Sequence, residues 1–381
     1  MLLTPGPVQL HPEVLKTLSL PMIHHRTPEF DQLLKTTLQQ IKKIFQTTED
    51  VFLSSSTGSG GMEALLVNTI SPGDKVITII SGKFGERWSK MASVFGAQVI
   101  PLVVPWGQAV NPLDLERLLK DHPDTRAVLC QACETSTAVA HPIEALGKIL
   151  VEKPNTLFLV DGITALGAYP LPMDAWHIDG LVGGSQKAFM LPTGMSLFSF
   201  SKKAWEFVEK VQTPRFYFDV RLEKKANQNG ETFFSSNVLL IRALHVVLDL
   251  ILNKGLSQHF AEIAQRALLI RKMAPELGYS IYGESPANSV TALTVPAHLD
   301  SQKMRSFLEE KKGITVMGGQ DQLKGKILRI GHMGYIQNSD QLKLIESLGQ
   351  TLLHFDPQAL SSSKLKQILI QAESYLKKEL P

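Results

Sequence analysis

Cysteine is nearly absent from the 381-residue chain: only Cys130 and Cys133 occur, in "CQAC". Two cysteines cannot build a disulfide framework, and two ligands cannot make a structural zinc site. A C-x-x-C pair is redox-active where it opens a helix whose N-terminus lowers a thiol pKa. Here the first cysteine ends the apolar run "AVLCQA", so a reduced, structural pair is expected. An excess of one charge is lacking too. Lys and Arg number 39 against 36 Asp and Glu, a net +3 with neutral histidines, too balanced to suggest a nucleic-acid or membrane partner. No apolar run reaches the roughly 18 residues that span a bilayer. Residues 1–30 carry prolines, a histidine pair and Arg26 where a signal peptide would need an unbroken apolar stretch. A cytoplasmic location is therefore expected. Repeats and low-complexity segments are missing as well. What remains, 44% hydrophobic and 20% charged, is ordinary globular composition at a length that favours two domains.

From residue 49 to about 200 short β-type runs alternate with amphipathic helical ones: "VFLSSS" then "GGMEALLVNTI", "KVITIIS" then "GERWSKMASVF", "AQVIPLVV" then "LDLERLLKDH", "RAVLCQA" then "PIEALGKILVEK". "TLFLVDG", "IDGLVGGS" and "GMSLFSFS" follow with little or no helix between them. This pitch predicts an α/β fold with a mainly parallel sheet covered by helices, and a ligand at the carboxyl ends of its strands. Past residue 235 two long helical stretches lead into "SVTALTVP", the helix "DSQKMRSFLEEKKG", "ITVMGG" and "KILRIGHMG", a smaller α+β unit. The expected division is an N-terminal arm at 1–20, a large domain at 21–250, a small C-terminal domain at 251–355 and a tail helix at 356–381.

Four segments could carry chemistry. In "VGGSQKAFM", Lys187 sits between two runs that read as buried strands. Desolvation would lower its pKa and free its amine to attack a carbonyl; the alternative is a lysine that snorkels from a surface loop. "SSSTGSGGMEALL" joins a strand to a helix through small residues, so backbone N–H groups and the hydroxyls of Thr57 and Ser59 could cradle a phosphate; a plain tight turn is the alternative. The loop fits neither the P-loop pattern nor the dinucleotide pattern, whose third glycine position holds Glu63. "TLFLVDG" ends a buried run in Asp161, a carboxylate that either starts a turn or wants a cation such as a protonated pyridine nitrogen. Arg329 in "KILRIGHMG" lies among apolar neighbours and wants an anion, from a ligand or from a structural salt bridge.

These stretches, with "LLTPGPVQLHP", "ETSTAVAHPI" and "VDGITALGAYPLPMD", resemble in order, from about residue 2 to 355, the class V aminotransferases of the alanine–glyoxylate and serine–pyruvate group. The resemblance implies fold type I, with a seven-stranded, mainly parallel sheet in the large domain, and pyridoxal 5'-phosphate as cofactor. It implies that Lys187 carries the cofactor as a Schiff base and moves the substrate proton. Asp161 would pair with the pyridine nitrogen, Thr135 with the ring hydroxyl, and Gln186 would support the phosphate end. Thr57, Gly58 and Ser59 would hold the phosphate, Phe84 would stack on the ring where many relatives have Trp or Tyr, and Arg329 would clamp the substrate carboxylate. Gly6 and the histidines of "MIHHRTPEF" would line the pocket. In relatives a Tyr and a Thr reach the phosphate across a homodimer interface; Thr232 and Ser235 stand at those positions here, so the phenol is missing.

The implied activity moves an amino group from alanine, serine or a similar donor to glyoxylate or another 2-oxo acid. A phosphonate-directed or aspartate-type transaminase is the alternative, with His24, His25 and His332 available to a second carboxylate. A cysteine desulfurase would need a cysteine in residues 134–381, where there is none. A non-catalytic phosphate-binding protein would need neither Lys187 nor Asp161.

Overall fold

The computed structural model describes residues 1–378; of the expected tail, residues 379–381 lie outside it. Seven strands form the main sheet, in the spatial order Val51–Ser54, Ser196–Phe200, Gly180–Gly184, Leu157–Asp161, Ala127–Gln131, Lys75–Ile80 and Gln98–Val103. The last five run parallel, whereas Ser196–Phe200 is antiparallel to both neighbours. Its reversal follows from its connection, residues 185–195, which is too short to cross over the sheet and can only turn back. Lys187 lies in that turn.

Alternation along each strand sorts side chains into two layers. Ile77, Val128, Phe158 and Val160 enter a core on one face, and Val76, Leu129, Leu157 and Leu159 enter a core on the other. A strand buried on both faces reads as an unbroken apolar run, which is why the central strands were visible in the sequence. Only the edge strand Gln98–Val103 opens to solvent.

Helices Val238–Lys254 and Leu256–Leu277 meet at Gly255, whose φ of +90° makes the corner. Beyond them a four-stranded antiparallel sheet, Ser280–Ile281, Val290–Thr294, Ile327–Gly331 and Met317–Gly318, packs on a third core. Leu3 belongs to that core at 2% exposure, as do Leu365, Ile368, Ala372 and Leu376 of the tail helix Ser362–Lys378. Both ends of the chain therefore help to build the unit that carries Arg329. No helix among the described residues is long and apolar enough to cross a membrane.

Candidate active site

The turn bearing Lys187 is held by Ser185, whose Oγ donates to the Pro192 carbonyl at 2.7 Å and accepts from the Met195 amide at 3.2 Å. The Lys187 side chain keeps some accessible surface, but its Nζ is enclosed and donates to the Pro5 carbonyl at 2.5 Å. Gly6 lies against it: a Cβ at position 6 would stand 2.5 Å from Nζ, and the φ of +125° there also favours glycine. The glycine of "TPGP" thus makes room for the amine. Burial pulls the Lys187 pKa down to about 8, against a smaller upward pull from Cys133 and Asp161.

Asp161 is the last residue of its strand, in register with Gln131 and Val182. It is 5% exposed and accepts one hydrogen bond, from the Ile163 amide at 2.8 Å. Burial lifts its pKa to about 6, opposed by that hydrogen bond. It forms no ion pair among the described residues, so a buried carboxylate at the sheet's carboxyl edge awaits a cation.

The strand Val51–Ser54 delivers the chain to Thr57, the N-cap of helix Gly58–Val67. The Thr57 carbonyl accepts from Gly60 and Gly61, which leaves the amides of Gly58 and Ser59 at the helix entry for an anion. A Cβ on Gly58 would meet Ile163 at 2.5 Å, so the close packing of this loop on the Asp161 turn requires glycine. Gln186, one residue before the lysine, has a buried Oε1 with no partner. Thr135 donates to Thr164 Oγ1 at 2.8 Å, and its carbonyl accepts from Arg329 Nη1 at 2.9 Å.

Arg329 is 7% exposed, bound through Nε to the Gly318 carbonyl and through Nη1 to Thr135. No carboxylate pairs with it among the described residues, so the structural salt bridge left open by the sequence is not what holds it. Two of its five N–H donors are engaged. The remaining Nη1–Nη2 edge suits a carboxylate fork. Burial lowers its pKa to about 10, which still leaves it charged at neutral pH.

Two residues escaped the sequence reading. Glu134 is fully buried beside Thr135 and accepts from the Phe84, Gly85 and Ser136 amides and from Gln131 Nε2, at 3.1–3.2 Å. It thereby pins the start of helix Lys83–Val94, and with it Phe84, to the sheet edge. Arg87 lies over the half-buried Phe84 ring at 4.8 Å and donates to Ser59 Oγ at 2.9 Å, adding a cation to the phosphate loop. Its place, one helical turn after Phe84, was the available signal.

The remaining candidates fall elsewhere. Thr232 spends its hydroxyl on the Phe234 carbonyl, and Ser235 is exposed; both line a small cleft with Ser54, Ser55 and Tyr217. His24 and His25 stack on one another at the approach to helix Pro28–Phe45, where Arg26 pairs with Glu231. His332 is buried, its Nε2 is 2.8 Å from Thr291 Oγ1, and burial drives its pKa far down, so it is neutral. Cys130 and Cys133 are buried and unpaired, and burial raises both thiols, Cys133 to about 12.

Residues 11–339 match the family described as "Aminotransferase class-V". The L-aspartate–glyoxylate aminotransferase of Paracoccus denitrificans is 36% identical over 88% of this chain and 86% of its own. The serine–glyoxylate aminotransferase of Arabidopsis thaliana is 31% identical over 91% and 88%. The crystal structure of an alanine–glyoxylate aminotransferase from Nostoc sp. superposes with a TM-score of 0.88 at 30% identity, covering 92% of this chain and 94% of that one. With the family match spanning most of its length and an enclosed lysine and aspartate at the carboxyl edge of a fold type I sheet, the chain belongs to the class V aminotransferases, pyridoxal-phosphate-dependent transaminases.

Proposed function

We propose that the enzyme transfers the amino group of a small amino acid to glyoxylate, and that the residues gathered around Lys187 are its site. The observation that carries this reading is the set of three charges without counter-ions, among the described residues, where the main sheet's carboxyl edge meets the Arg329 strand of the smaller sheet: an enclosed amine, an aspartate without a cation and a guanidinium without an anion. Thr57, Gly58, Ser59 and Arg87 would hold the cofactor's phosphate, Phe84 would cover its ring, Gln186 would use its spare acceptor, Thr135 would face the ring hydroxyl, and Asp161 would face the pyridine nitrogen. When bound, pyridoxal phosphate supplies an aldehyde for the amine and an electron sink for the substrate's α-carbon.

The chain's own residues do the rest. Asp161, enclosed and in no ion pair among the described residues, would hold a proton at the ring nitrogen. Lys187, with a pKa near 8, is neutral often enough at cellular pH to act as a nucleophile and then to take and return the α-carbon proton. Arg329 orients the substrate through its carboxylate. Gly6 and Pro5 close the wall behind the amine and keep water from it.

A small donor is favoured because a second carboxylate would need a second cation. His332 is neutral and committed to Thr291, and His24 and His25 stack against each other near Glu231. The named activities of the Arabidopsis and Nostoc relatives support serine and alanine; that of the Paracoccus relative supports aspartate. A homodimer is part of the same proposal, with Thr232 and Ser235 reaching the partner's phosphate site. In its support, Phe216, Tyr217 and Phe233 around that segment are 74%, 45% and 40% exposed, an aromatic patch that a monomer would leave in water.

The test is a screen of alanine, serine and aspartate against glyoxylate, pyruvate and 2-oxoglutarate. Glyoxylate as best acceptor, with alanine or serine at least tenfold ahead of aspartate in kcat/KM, is the expected outcome. Preference for aspartate would replace the small-donor reading.

A further inference from the structure

The phosphate end of the proposed site is built almost wholly from neutral groups. Thr57, Ser59 and Gln186 carry no charge, nor do Thr232 and Ser235, which would come from a partner subunit. The start of helix Gly58–Val67 adds only about half a positive charge. Thr232 has less to offer than its hydroxyl suggests, because its Oγ1 already donates to the Phe234 carbonyl at 2.7 Å. A phosphate monoester brings a charge of about −1.5 to −2 at neutral pH. Those neutral donors leave it without a counter-ion.

Arg87 stands where a counter-ion is needed. Its Nη1 donates to Ser59 Oγ at 2.9 Å, inside the loop, and it forms no ion pair among the described residues. Only that one of its five N–H donors is engaged. The same guanidinium lies over the Phe84 ring at 4.8 Å, which ties the ring expected to cover the cofactor to the loop expected to hold the phosphate. Its charge also reaches the sheet edge. Burial raises the Asp161 pKa, the hydrogen bond from Ile163 opposes that rise, and Arg87 is the next opposing influence, ahead of Lys187. The base of the side chain is firm as well, because Glu134 grips the Phe84 and Gly85 amides just before it in helix Lys83–Val94.

We infer that Arg87 is the counter-ion of the cofactor's phosphate, so that the phosphate is recognised by charge and within a single subunit, with the hydroxyls of Thr232 and Ser235 as secondary contacts across the dimer. This rests on the reading of the Lys187 site given above. It assigns to one side chain the two tasks that Phe84, with no polar atom, and the hydroxyls, with no charge, leave undone.

The test compares pyridoxal 5'-phosphate with pyridoxal, which lacks the phosphate, by titrating each into the apoprotein and reading Kd from cofactor absorbance. Arg87→Gln should lower the preference for the phosphorylated aldehyde about thirtyfold, within the range of a charge-assisted hydrogen bond, and leave the Kd for pyridoxal within about threefold. Arg87→Lys, which keeps the charge and loses the fork, should recover part of the preference. Ser235→Ala should lower it less than Arg87→Gln does. Inorganic phosphate should compete with pyridoxal 5'-phosphate on the wild-type apoprotein, and about tenfold more weakly on Arg87→Gln. An unchanged preference in Arg87→Gln, a larger loss in Ser235→Ala, or equal weakening of both aldehydes, which would confine Arg87 to packing on Phe84, would overturn the assignment. A wild type that binds neither aldehyde would instead sink the Lys187 site itself, and the assignment with it.

Discussion

At the scale of single residues, enclosing a lysine amine makes it reactive and makes the apoprotein less stable. The folded pKa of Lys187, about 8, lies below its ordinary 10.5, so the unfolded chain holds the proton more tightly. The resulting cost is full below about pH 8, fades as pH rises and vanishes above the unfolded value; its ceiling is about 3 kcal/mol. Lys187→Met should therefore raise the Tm of the apoprotein by several degrees at pH 7 and by almost nothing near pH 10.5 in scanning calorimetry. Equal shifts at the two pH values would assign the effect to packing. Arg329 makes a second case. Lysine keeps the charge but loses the fork, so Arg329→Lys should raise KM for amino donors about tenfold or more and leave the Kd for cofactor unchanged. A parallel loss of cofactor affinity would mean that Arg329 supports the fold through Gly318 and Thr135 instead of gripping substrate.

At the scale of elements, the site depends on where strands end and what stands at the next helix. Glu134 collects the first amides of helix Lys83–Val94 and brings Phe84 to the sheet edge. Glu134→Gln keeps one acceptor oxygen but loses the charge, so the helix start should loosen and cofactor Kd should rise about tenfold, read from cofactor absorbance. An unchanged Kd would show that the strand beside it holds Phe84 unaided. Such a residue is hard to find from sequence: its partners are backbone amides some fifty positions earlier, and a backbone amide has no residue identity. Lys187 and Asp161 could be read because local pattern exposes them, each at the end of an apolar run in a sheet buried on both faces. Arg329 could be read as needing an anion, but only the fold shows that no carboxylate among the described residues pairs with it. Gly6 owes its role to a contact with a lysine far along the chain, and local sequence carries no trace of that.

At the scale of the molecule, the sequence pattern changes near residue 235, whereas the packing of the N-terminal segment and tail helix leaves no such mark. We propose a large unit at 21–250 and a small one at 251–355, with the supporting observation that Leu328 and Ile330 of Arg329's strand enter a core of their own, while Ile327 of the same strand joins a layer of the main sheet's core. The tail helix inserts Ile368 and Ala372, both fully buried, into that small core. A chain ending at Leu360 should accordingly lose at least about 3 kcal/mol from the uncovered apolar surface, seen as a lowered urea midpoint, with the Arg329 half melting first in hydrogen exchange. A single unchanged transition would show the tail to be an independent appendage. The N-terminal segment is bound in the same way: the Leu3 amide donates to the Thr315 carbonyl at 3.0 Å, and the Gly331 amide donates to Leu3 at 2.9 Å. During synthesis a ribosome releases the first of these partners long before it makes the second. A nascent chain therefore cannot enclose Lys187 until the strand Ile327–Gly331 has been made, and an intermediate arrested earlier leaves that amine in water, protonated and slow to meet an aldehyde.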